Sequence, residues 1–149
     1  MEVRPVTRDD LPILIALIAD YQRFYGNAAP DDEHNAVFFG GFVAPSDRGM
    51  LIAAHDDDDS LAGYSCLYWT FSSISATEVV LLNDLYVRPS RRGGGVGEAL
   101  IAAAREVARE RGCSHLRWCT ELHNRRAQRL YERVGAERVA LFEYEIDLR

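Results

Sequence analysis

Leu11, Leu14, Ile15, Ile18, then Tyr21 or Gln22, and Tyr25 fall at the spacing of one helix face, so residues 8–25 are predicted to form an amphipathic helix rather than a strand. Thr7 stands where a capping hydroxyl belongs, with Asp10 three residues on and Pro12 still in the first turn. Residues 2–6 ahead of it read as a short strand. The stretch GNAAP at 26–30 breaks the helix, and residues 31–43 read as a second helix weakened by Gly40 and Gly41. Beyond Gly49 the period changes. Apolar runs at 50–54, 61–71 and 79–87 predict three consecutive strands, with the acidic DDDDS run at 56–60 as a solvated hairpin turn. Val96, Leu100, Ala103, Ala104 and Val107 mark a helix over 95–111 that Gly112 stops. A strand at 116–120 follows, then a helix over 124–134 with Ala127, Leu130, Tyr131 and Val134 on its apolar side, and a closing strand at 139–146. No repeat, linker or low-complexity segment separates these elements, so residues 1–149 are expected to form one mixed α/β domain.

Composition narrows the chemistry. A length of 149 residues, 48% hydrophobic and 27% charged, excludes wholesale disorder, collagen and a disulfide-scaffold mini-protein. Lys+Arg at 17 against Asp+Glu at 23 leave −6, the wrong sign for a general nucleic-acid binder and weakly suited to a cationic partner. Cys66, Cys113 and Cys119 are odd in number and form no C-x-x-C pair, which points to a reducing cytoplasm and to neither a disulfide framework nor a zinc site. The apolar stretch at 11–19 is far shorter than the ~20 residues of a bilayer span, and acids outnumber bases ahead of it, so neither a membrane segment nor export is expected. No metal is expected either: the acidic run has no glycine for the sharp turn of a cation loop, and His34, His55, His115 and His123 show no ligand spacing.

The most informative stretch is RPSRRGGGVG at 88–97, because it follows a predicted strand and opens a predicted helix. A helix start presents unpaired backbone N–H groups and partial positive charge, and glycine lets a phosphate approach the backbone closely. Arg91 and Arg92 add full charges, so the loop suits a pyrophosphate. It is not a Walker loop, since no Lys follows the glycines. It is not a dinucleotide fingerprint, since the last position of G-x-G-x-x-G is Glu98 or Leu100, depending on the starting glycine.

Read as Arg92, Gly95 and Gly97, the loop resembles the R/Q-x-x-G-x-G/A acetyl-CoA motif of the GNAT superfamily of N-acetyltransferases. Residues 82–87 (LNDLYV) resemble that family's central strand, and residues 124–136 (NRRAQRLYERVGA) its following N-x-x-A-x-x-x-Y-x-x-x-G segment, in the family's order and spacing. The resemblance implies an α+β fold, a central mixed and mostly antiparallel sheet flanked by about four helices, with acetyl-CoA as co-substrate. It implies that Leu85, Tyr86 and Val87 offer backbone groups to pantetheine and that Arg92, Gly93, Gly94, Gly95, Val96 and Gly97 hold the pyrophosphate. It further implies that Asn124 hydrogen-bonds the cofactor and that Tyr131 protonates the leaving thiolate after direct amine attack through a tetrahedral intermediate. Relatives are often dimers, so a homodimer is expected, with the C-terminal strand as one means of pairing.

The wording of 82–87 is most similar to small-molecule, diamine-type members, which implies a primary amine of a polyamine, diamine or amino acid as acceptor. Diamine-type relatives usually carry an acid just before the Asp of this strand, and here that place is Asn83, so the base is assigned to Asp84. Period-2 alternation points Asp84 away from Asn83 unless a bulge re-aims it. Glu78, Glu121 or a water chain are the other routes for the proton. Tyr21, Phe24 and Tyr25, with Asn83 and the acids Asp31, Asp32 and Glu33 just beyond, make the candidate acceptor site, since aromatic faces and carboxylates attract ammonium groups. Each has a plainer reading: Tyr131 as a packing residue beside Leu130, Asn124 as a helix cap, Asp84 as a structural hydrogen-bonding group. A protein or peptide N-acetyltransferase and a non-catalytic acyl-CoA-binding module are the alternative functions.

Overall fold

The computed structural model describes residues 1–149, in two compact units, Met1–Cys119 and Thr120–Arg149. In the first, the apolar runs become β1 (Glu2–Pro5), β2 (Gly49–His55), β3 (Leu61–Ser72), β4 (Thr77–Val87) and β5 (His115–Arg117). They form one sheet in the order β1-β2-β3-β4-β5, antiparallel throughout except that β5 runs parallel to β4. The expected mixed, mostly antiparallel sheet is therefore present. Its helices are α1 (Leu11–Phe24), α2 (Asp32–Gly40) and α3 (Val96–Glu110), while α4 (Arg125–Arg133) lies in the second unit.

The start of α1 departs from the sequence expectation. Thr7 does not cap the helix; its backbone N–H and hydroxyl both donate to an Asp10 oxygen at 2.8 Å, and Asp10 is the residue that precedes the first turn. Arg4 grips the same carboxyl with two bonds of 2.7 and 3.0 Å, which hold it well below the usual carboxylate range. In α2, Asp31 accepts the His34 N–H at 2.9 Å as an N-cap, and the helix ends at Gly40, three residues before its apolar pattern does.

Two layers cover the sheet. Leu14, Ile15, Leu17 and Ile18 of α1 and Phe39 of α2 share a buried cluster with Leu51, Ala53, Tyr64, Cys66 and Tyr86. A Cβ on Gly63, the neighbour of Tyr64, would lie 3.3 Å from Val96 Cγ1 at the start of α3. Successive strand residues point to opposite faces, so α3 covers the face opposite α1. The same Cβ would lie 2.5 Å from the Tyr86 carbonyl oxygen, closer than any side chain tolerates. Only glycine lets β3, β4 and α3 meet there.

The acidic turn is less idle than its sequence implies. Asp56 pairs with Arg91, Asp57 accepts from the Met1 amine at 3.1 Å, and Asp58 takes the hydroxyl and amide of Ser60. At the C-terminus the sequence expectation fails, because residues 139–146 form no strand and Leu141, Phe142, Tyr144 and Ile146 are exposed. Alternation alone does not make a strand. Its backbone groups need a ladder partner, and within Thr120–Arg149 there is no second strand. No helix of the chain is long and apolar enough to cross a membrane.

Candidate active site

The site is built on the second half of β4. Tyr64 pairs with Tyr86, Ser65 with Leu85 and Cys66 with Asp84, but Leu67 pairs with Leu82, leaving Asn83 as an extra residue. This is the bulge that re-aims Asp84. Two residues now oppose one, and alternation is interrupted at that point. The Ser65 hydroxyl donates to the Asp84 carbonyl at 2.6 Å and ties down the displaced backbone. On the other side of β4, β5 pairs with Val79, Val80 and Leu81 only. Past Leu81 that edge carries no ladder, so the backbone of Leu85, Tyr86 and Val87 can accept an extended ligand as though it were an added strand.

Asp84 is the one buried carboxyl, 4% exposed, and burial pushes it up to about 6. Asn83 Nδ2 donates to its Oδ1 at 2.8 Å, and the Tyr21 hydroxyl lies against it; both oppose the upward shift without cancelling it. Tyr21, from the last turns of α1, packs edge-on to Tyr64 and Tyr86 with ring centroids 6.1 and 6.0 Å away. Its ring centroid also lies 4.9 Å from that of Tyr25 in a tilted contact, and Tyr25 meets Phe24 edge-on at 5.2 Å. Phe24 and Tyr25 are exposed and Tyr21 half-buried, so the three rings lead from the surface of α1 to the Asp84 carboxyl. Desolvation beside that carboxyl raises the phenols of Tyr21, Tyr64 and Tyr68 and the thiol of Cys66, keeping all four neutral.

Glu78, one alternative base, is held by Arg111 through Nε at 2.9 Å, and that guanidinium lies 3.9 Å from the Trp69 ring centroid. Glu121 sits in the second unit with His123 at 3.0 Å. Asp31 is occupied as the α2 cap, while Asp32 and Glu33 are exposed in its first turn.

The glycine loop follows β4 through a 3-10 turn at Pro89–Arg91. Gly93 and Gly95 have φ of +86° and +81°, a conformation other residues adopt only under strain, and an added Cβ at either would meet nothing within 4 Å. The loop is therefore open at both glycines. Gly95 precedes α3 without a side-chain cap, which leaves the first N–H groups of the helix available to an anion. Arg92 donates through Nε to the Val87 carbonyl at 3.0 Å, with its guanidinium 5.9 Å from the Tyr86 ring centroid. Open glycines, an uncapped helix start and a free strand edge all fit a pyrophosphate carrying an extended arm.

In the second unit, Asn124 caps α4, accepting the Ala127 N–H at 3.2 Å. Tyr131 lies two turns along the same helix, half-buried. Sequence reasoning missed Tyr64, Ser65 and Tyr68 as neighbours of Asp84. Their signal was the even-numbered alternation of Tyr64, Cys66 and Tyr68 along β3, which becomes meaningful only once the register places Cys66 opposite Asp84.

A family model described as the Acetyltransferase (GNAT) family matches residues 14–136. YhfO, an uncharacterized N-acetyltransferase of Bacillus subtilis, is 34% identical over 137 residues, 92% of this chain and 90% of that protein. The thialysine N-ε-acetyltransferase of Bos taurus is 38% identical over 77 residues, which are 52% of this chain and 45% of that protein. The crystal structure of a probable acetyltransferase covers 100% of this chain and 99% of its own, with a TM-score of 0.89 and 29% identity. Sequence pattern, relatives and fold agree, and the chain belongs to the GNAT family of N-acetyltransferases, enzymes that take their acetyl group from acetyl-CoA.

Proposed function

We propose that the acceptor is the primary amine of a small molecule, a polyamine, diamine or amino acid, and that Asp84 removes its proton. The observation that carries this reading is a carboxyl buried at a strand bulge, raised to about 6, at the inner end of an aromatic path from the surface. An alkylammonium of pKa ~10.4 is neutral in only about one molecule in 2,500 at pH 7, so attack on a thioester requires a group that takes the proton. A carboxyl titrating near 6 is ionised at pH 7 yet binds a proton more readily than an ordinary aspartate. The faces of Tyr21, Tyr25 and Phe24 suit the approaching cation.

Acetyl-CoA, when bound, supplies the activated acyl carbon. Arg92 and the backbone from Gly93 to Gly97 hold its pyrophosphate, and the free edge at Leu85, Tyr86 and Val87 aligns its extended arm. Asn124 hydrogen-bonds the cofactor, and Tyr131 gives a proton to the departing sulfur, the roles that their match to the family pattern implies. The named activity of the thialysine relative supports a small amine, although the match spans about half of that enzyme. The three free cysteines suit a reducing cytoplasm, and the exposed Phe142, Tyr144 and Ile146 offer apolar surface for a homodimer, which light scattering would detect.

The direct test is release of coenzyme A with spermidine, lysine, thialysine and a peptide panel at matched concentrations. Turnover with the small amines and little with peptides is the expected result. A preference for peptides would replace the reading with a protein acetyltransferase, and tight acetyl-CoA binding without turnover would make the chain a binding module.

A further inference from the structure

Asn83, the residue that the bulge ejects from the ladder, is held by two partners. Its Nδ2 lies 2.8 Å from Asp84 Oδ1 and 3.2 Å from the Tyr68 hydroxyl. An ionised carboxylate has only lone pairs to offer, so the edge of the amide facing it must be the NH2, and its two hydrogens are divided between Asp84 and Tyr68. Tyr68 is itself restrained. Its ring lies 5.2 Å from that of Phe42, its hydroxyl lies beside the Cys66 thiol, and Cys66 is the register partner of Asp84. Tyr68, Asn83 and Asp84 are thus linked across β3 and β4 at the one point where the strand register slips.

We propose that Tyr68 is a positioning residue for acceptor deprotonation: it fixes the Asn83 amide, Asn83 holds Asp84 Oδ1, and the carboxylate so oriented, which the Tyr21 hydroxyl also reaches, takes the amine proton. This rests on the reading of Asp84 as the base. The proton passes from the ammonium nitrogen to the Asp84 carboxylate, and the nitrogen keeps the electron pair with which it attacks.

The surroundings of Asp84 explain why so small a contact matters. Tyr21 faces it from α1, Tyr64, Cys66 and Tyr68 from β3, and Asn83 from β4 itself, and none of these carries positive charge. With no counter-ion, the buried anion depends on its hydrogen bonds, and removing one donor favours the protonated form.

The test uses the whole chain with aspartate labelled at the 13C carboxyl, the Asp84 resonance being identified by its loss in Asp84→Asn. Its titration should move upward by about one pH unit in Asn83→Ala and by about half that in Tyr68→Phe, the size of one lost hydrogen bond to a charged group and of one loosened. Tyr68→Phe keeps the ring against Phe42, so it reads the clamp without emptying the core. The acidic limb of kcat/KM, measured with the most active amine of the coenzyme A screen, should follow the resonance, while KM for acetyl-CoA stays put. A purely structural Tyr68 would lower thermal stability and leave the titration unmoved, and an unmoved titration in both variants overturns the clamp whatever the kinetics do. A moved titration with an acidic limb that does not follow overturns Asp84 as the base, and the positioning role with it.

Discussion

Replacing Asp84 by Asn should make the protein more stable while disabling it, and the pH dependence of the gain is the decisive reading. The Asp84 carboxyl sits near 6 in the fold, against ~3.9 in an unfolded chain, because burial penalises its charge. Between those values the native state binds more protons than the unfolded state, so stability falls as pH rises through that window and levels off above it. Each pKa unit is worth about 1.4 kcal/mol, so the cost at pH 7 is about 3 kcal/mol. The amide that replaces the carboxyl in the variant carries no charge, and its carbonyl can still accept from Asn83. Urea unfolding of both proteins from pH 4.5 to 7.5 should therefore show curves about 1 kcal/mol apart at pH 4.5 that separate to about 3 kcal/mol by pH 7, the variant higher. In melting temperature that is of the order of 6–12 °C for a chain of this length. Turnover should fall by at least a hundredfold, the lower range of general-base contributions. Parallel pH dependences, or a variant less stable at pH 7, would refute the view that Asp84 is a buried carboxylate whose hydrogen bonds do not offset its desolvation.

Three further substitutions test the rest of the site. Gly63→Ala places a Cβ 2.5 Å from the Tyr86 carbonyl oxygen, so a loss of about 1–3 kcal/mol is expected in denaturant melts, with KM for acetyl-CoA rising as the end of β4 is displaced. Arg92→Ala should weaken acetyl-CoA binding roughly tenfold in calorimetry, by loss of a charged phosphate contact, and unchanged affinity would remove Arg92 from the pyrophosphate site. Tyr131→Phe should lower kcat by tenfold or more with little change in acetyl-CoA affinity, and equal rates would return Tyr131 to a packing role.

The elements that could be read along the chain are those whose causes are local. The apolar stripe from Leu11 to Ile18, the glycines at 93–97 ahead of an amphipathic run, and Asn124 before α4 all act within a few residues of themselves. Backbone hydrogen bonds inside a helix, and a left-handed glycine beside it, need no distant partner. The failure at 139–146 has the complementary cause, since a strand is completed by a neighbour and alternation only proposes one.

Even at the start of α1 a residue from another element takes part. Asp10 precedes the helix, and its carboxyl, instead of capping the first turn, is shared between Thr7 and Arg4 of β1, the latter a contact that the helical pattern does not contain. The same holds more strongly at the site. The order of residues was enough to identify the family, to put a glycine loop between β4 and α3 and to put Asp84 on β4. What kind of carboxyl it is emerged with packing alone. The β3–β4 register creates the bulge at Asn83, and α1 brings Tyr21 from a distant stretch of the chain. Together with Tyr64 and Tyr68 it removes water from around a charge that has no counter-ion. Acidity depends on solvation and on the nearest dipoles, and both are properties of the packed molecule that the linear chain does not contain.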